Sequence, residues 1–180
     1  MKRRVKKLNQ TDNFHLRAAE GWFELGDLVT ANNELDEIAP EERANPAVLV
    51  MRYEIYAKGG RWNIAAEIAE ALVTILPDEP ESWLNLACAT RRKKGGGNHD
   101  ANQILYVGHV KFPQDYRFPY NFACYFAKFG DIENGDLEEC KRWFQKAMAL
   151  DDKTVQKLAV DDPDLNPLWD SMSGTIWKKE

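Results

Sequence analysis

Cysteine and histidine are scarce in this 180-residue chain, at three of each. Three cysteines do not complete a disulfide framework, so a reducing, cytoplasmic setting is the natural reading. His15, His99 and His109 are expected in different helices. None stands at a ligand spacing from a cysteine or carboxylate, so no metal is expected. No apolar run is long enough to span a membrane. The basic residues 1–7 are followed by the polar stretch Leu8-Asn9-Gln10-Thr11-Asp12, which lacks the apolar core of a secretory signal. Strand-length alternation of β-branched residues is missing too. Gly95-Gly96-Gly97 lacks the Gly-Lys-Ser/Thr ending that grips phosphate, and it joins two helical stretches rather than a strand to a helix. No nucleophile–base pair can be placed, and acid pairs such as Asp151/Asp152 and Asp161/Asp162 fall at helix ends and turns, where capping explains them. These absences point away from an enzyme and from any cofactor.

What is present describes a globular protein. Hydrophobic residues make up 44 % and charged residues 29 %, which excludes a disordered chain. The net charge of −5 conceals a split: the first seven residues carry five positive charges, leaving −10 on the rest. An acidic body argues against nucleic-acid binding, which needs a cationic surface to release counterions. The basic leader reads as a solvated end. A second basic run, Arg91-Arg92-Lys93-Lys94, reads as cations opposing the dipole at a helix C-terminus.

The informative feature is an internal echo. Gly26, Ala31, Leu35 and Ile38 recur as Gly60, Ala65, Ala69 and Leu72, each 34 positions later. The echo continues with insertions: Ala19, Tyr53, Ala87 and Ala123 are spaced 34, 34 and 36 apart, and Ala31, Ala65, Ala101 and Cys140 are spaced 34, 36 and 39 apart. Periods in this range mark stacked helix pairs. Small side chains stand where two antiparallel helices must cross, with Trp22, Tyr56, Leu35, Leu105 and Phe144 filling the space beside them. Gly26, Gly60 and Gly130 are expected to end the first helices at positive φ. Pro77 and Pro113 close second helices, and Asn45-Pro46 opens one. Asp78 with Glu81, and Asp136 with Glu139, are spaced as capping boxes. Tyr53, at a small-residue position, is expected to splay its pair slightly.

Residues 12–152 resemble the tetratricopeptide-repeat (TPR) family. The motif stretches are Trp22-Phe23-Glu24-Leu25-Gly26-Asp27, Trp83-Leu84-Asn85-Leu86-Ala87 and Tyr120-Asn121-Phe122-Ala123-Cys124. The resemblance implies an all-α, right-handed TPR superhelix, or α-solenoid, of about four helix-turn-helix repeats (12–45, 46–79, 80–115 and 116–152). A basic end, 1–11, precedes it. Residues 153–180 form a capping segment, and residues 158–169 resemble a tail seen after such arrays in bacterial proteins. There a short helix near 154–160, a turn and a helix opened by Asn166-Pro167 are expected, with Leu165, Leu168 and Trp169 plugging the last repeat.

In this family the first helix of each pair lines the concave face, and the family's usual task is protein–protein interaction as a scaffold or adaptor. The resemblance therefore implies a protein or peptide partner held in a groove, with no nucleic acid and no membrane. A self-assembling role in which the groove or an end meets another copy is the alternative. By register, the groove holds Glu20, Phe23, Glu54, Asn85, Arg91, Arg92, Arg117, Tyr120, Asn121 and Lys128, with Leu16, Val50, Lys58, Leu84, Cys88 and Cys124 beside them. Its late half is cationic and would suit an acidic segment. The family's clamp for chaperone C-termini is missing: Leu16, Glu20 and Met51 stand where its lysine and asparagines would be.

Overall fold

The computed structural model describes residues 7–130 and 136–171, and among these every regular element is helical. The basic leader apart from Lys7, the turn at 131–135 and residues 172–180 of the capping segment lie outside the described residues. Two compact units divide the chain, Met1–Gly97 and Asn98–Glu180. The division falls in the glycine-rich turn between the two helices that the period assigns to a third pair.

The first unit holds α1 (Gln10–Glu24), α2 (Leu28–Asp36), α3 (Pro46–Lys58), α4 (Trp62–Ile75) and α5 (Pro80–Arg92), with a 3-10 turn at Pro40–Glu42. α1 pairs with α2 and α3 with α4, while α3 packs on both helices of the first pair and α5 packs on α4. The crossing positions Ala19, Ala31, Ala65, Ala69 and Ala87 are fully buried, as close approach of the helix axes requires. Gly26 and Gly60 follow the first helices at φ 86° and 69°, a region that costs other residues steric strain.

Asn9 caps α1, Asp27 caps α2 and Asn45 caps α3, each accepting from a backbone N–H of the first turn. α5 differs from expectation. Glu79 stands at its N-cap without a side-chain cap bond, and Pro80 takes the first turn. Tyr53 does not simply splay its pair. Its side chain is buried, and its hydroxyl donates to the Asn85 carbonyl at 3.1 Å, tying α3 to α5.

The second unit holds α6 (Asn98–Lys111), α7 (Arg117–Phe129), α8 (Asp136–Leu150), α9 (Asp152–Ala159) and α10 (Asn166–Ser171), with a 3-10 turn at Pro163–Leu165. α7 is its centre, packing on α6, α8, α10 and the 3-10 turn. Gly108 is buried because the Phe118 ring lies against it; a Cβ there would come within 2.2 Å of that ring. Gly130 corrects an expectation: its φ is −74°, and what it provides is room, since a Cβ would lie 2.3 Å from the Phe126 carbonyl oxygen. His99 and His109, expected in different helices, share α6.

Candidate functional site

The positions expected to line a groove divide between the two units, and their surroundings differ. In the second unit the α7 face is already filled, by the chain's own tail. The Tyr120 hydroxyl donates to Asp162 Oδ2 at 2.7 Å, and the Cys124 thiol donates to the same oxygen at 3.5 Å. One helical turn on, Lys128 pairs with Asp164. Asp162 also caps the 3-10 turn, accepting from the Asp164 N–H at 2.9 Å. Leu165 and Leu168 are both fully buried. Trp169 meets Phe144 edge-on at 5.5 Å, and its indole N–H donates to the Ala159 carbonyl at 3.3 Å. The plug expected at Leu165, Leu168 and Trp169 is therefore present, and it brings two carboxylates onto the face read as cationic.

The chemistry of that face follows from its burial. Desolvation first, and then the hydrogen bond to Asp162, hold the Tyr120 phenol well above its usual range. Burial and the Asp162 carboxylate push the Cys124 thiol up likewise, and burial raises Cys140 to about 12. A nucleophilic thiolate needs the opposite environment. Arg117 is engaged as well: its guanidinium grips Asp115 with Nε 2.9 Å from Oδ1 and Nη2 2.6 Å from Oδ2. The Asn121 amide donates to the Arg117 carbonyl at 2.8 Å, within the helix, and not toward a ligand.

The first unit presents a different face. Leu16 is buried in the core, so it does not belong to a groove surface. Glu20 and Glu54 are exposed, with Phe23 and Asn85 half-buried beside them. Burial, and then the charges of Glu81 and Glu20, raise the Glu54 carboxyl above its usual value, so the three acids from α1, α3 and α5 converge. Lys58 bridges two first helices, its ammonium 4.2 Å from the centre of the Phe23 ring and donating to the Phe23 carbonyl at 3.0 Å. The two arginines at the end of α5 have different surroundings. Arg92 lies over the Trp62 ring at 4.9 Å and donates to the Cys88 carbonyl at 3.3 Å, while Arg91 is half-buried. Of the late cations, Arg117 and Lys128 are engaged in ion pairs, while Glu20 and Glu54 of the first unit are exposed.

A signal for the filled face was available in sequence. Asp162 and Asp164, two residues apart, complement Tyr120 and Lys128, two helical turns apart, although nothing local says that they meet.

All three cysteines are free thiols. Among the described residues no group of three or more His, Cys, Asp or Glu is placed to hold a metal ion, and no helix is long and apolar enough to cross a membrane. His15 pairs with Glu34 at 2.9 Å, and His109 lies edge-on to Trp143, so both serve packing.

No family model and no curated protein match the sequence. Among solved structures, a thermophilic TPR protein of Thermus thermophilus superposes with a TM-score of 0.65 at 18 % identity, over 89 % of this chain and 82 % of that one. At that identity the likeness is one of fold, and the fold is that of the tetratricopeptide repeat.

Proposed function

We propose that the chain is a non-catalytic protein-interaction module, a cytoplasmic scaffold or adaptor that holds a peptide or partner surface on the inner faces of its first helices. The observation that supports this reading is the tail on α7. There an irregular segment lies against a first helix through two carboxylates and a buried leucine, which is how such a face takes a peptide. In the first unit Glu20 and Glu54 stand in register with Cys124, and Phe23, Glu81 and Asn85 lie on the same set of first helices. Three converging carboxylates suit a cationic segment, and Phe23 gives an aliphatic or aromatic anchor something to pack against.

The test is anisotropy titration of labelled Lys/Arg-rich peptides carrying a central Leu or Phe, against wild type and the Glu20→Gln/Glu54→Gln variant. Each exposed charge contributes about 1 kcal/mol or less, so the double variant should bind roughly five- to twenty-fold more weakly, with the difference shrinking as salt rises. Equal affinity of the two proteins at low salt would refute this assignment of the face.

A further inference from the structure

The same register that identifies the inner face also identifies a second one, by which each helix pair stacks on the pair before it. In α3 that face is Val48, Arg52, Ile55 and Gly59. Val48 and Ile55 are buried in a core shared with α1 and α2. Arg52 donates to the Asn32 side chain and the Leu35 carbonyl, both at 3.1 Å, and pairs with Asp36 at 2.6 Å. A Cβ on Gly59 would sit 3.5 Å from Leu28. In α5 the equivalents are Ser82, Leu86 and Ala89, all buried, and Lys93, which reaches Glu70 of α4 at 3.9 Å. Counting back 34 from the α3 set gives Phe14, Ala18, Gly21 and Leu25 on α1. Here the face is bare among the described residues: Phe14 is 66 % exposed and Leu25 78 %. Gly21 is a glycine inside a helix, where alanine is the better helix former. Nothing in the chain calls for it, since an added Cβ would meet no atom within 4 Å.

We propose that this α1 face is a self-association surface, covered by the same face of a second copy of the chain in an antiparallel contact about a two-fold axis. The pattern is self-complementary when the axis passes between Ala18 and Gly21. Ala18 then faces the partner's Gly21, where small side chains let the two backbones approach. Phe14 faces the partner's Leu25, apolar against apolar. A two-fold contact repeats each of these pairings, as an isologous interface must. The surface is the register equivalent of the one that α3 and α5 bury, and it is separate from the acidic inner face, so it stands whether or not that face binds peptide.

Analytical ultracentrifugation of the full chain across the micromolar range is the test, with Gly21→Arg, Phe14→Glu and Glu54→Gln alongside. Wild type should be a reversible dimer that dissociates on dilution. Gly21→Arg, which meets open space in the monomer and should keep its helical spectrum and melting temperature, should weaken the dimer by at least about ten-fold, and so should Phe14→Glu. Glu54→Gln should leave it unchanged. A wild-type monomer up to the solubility limit overturns the proposal, as does a dimer that either α1 variant leaves intact or that Glu54→Gln weakens equally.

Discussion

His109 shows how a single half-buried side chain can report on the fold. Its ring lies edge-on to Trp143 at 5.3 Å, while Lys146 covers the same indole at 4.0 Å. Burial, and then the Lys146 charge, lower its pKa below the ordinary value. The unfolded chain therefore takes up a proton on this group at a higher pH than the folded chain does. The resulting stability is present above the unfolded pKa and is lost as pH falls through the folded one. Wild type should accordingly lose melting temperature more steeply than His109→Gln as pH falls through and below about 6.5, with the two curves parallel well above it. Identical slopes would mean that the imidazole is solvated. None of this environment was legible in the sequence, because it is made by α8 reaching a residue 34 positions earlier on α6. The alanines at the crossings, by contrast, were legible: a helix pair leaves no volume for anything larger, so the constraint is written at each position.

At the scale of elements, the helices and their ends were largely readable because their causes are local. Asn45-Pro46 opens α3 and Asp151 caps α9, each through contacts within a few residues. The misreadings have local causes too. At α5 the N-cap falls at Glu79, one residue past Asp78, because Pro80 fits the first turn without needing its missing N–H satisfied. The tail's place against the last repeat was anticipated from Leu165, Leu168 and Trp169, but its polar contacts were not readable, since residues 161–165 carry no periodicity and their partners lie 36 to 42 residues away. Its energetics can be measured. Leu168 is fully buried against α7 and α8, and Leu168→Ala should cost about 3 kcal/mol in chemical denaturation. Tyr120→Phe, which removes one donor to a carboxylate, should cost about 1–2 kcal/mol. If both variants unfold at the wild-type midpoint, the tail does not hold α7 in solution.

For the molecule as a whole, the tail decides how the array ends. A stack of helix pairs leaves an apolar surface at its last member, and α10 with the 3-10 turn covers α7 and α8 where Phe144 would otherwise meet water. A chain truncated after Val160 should melt at least about 5 °C lower and aggregate at concentrations that wild type tolerates, both measurable by scanning fluorimetry and light scattering. An unchanged melting temperature with a clean monomer would show the tail to be dispensable. Because the tail belongs to the same chain, its occupancy of α7 is also a matter of concentration. A tethered segment is presented to its site at an effective concentration on the order of millimolar, so an external segment of equal intrinsic affinity, supplied at micromolar levels, is outcompeted by about a thousandfold. On the proposed function, selectivity between the two inner faces then needs no difference in their chemistry: one arrives saturated with its own tail, and the other is left for an external segment.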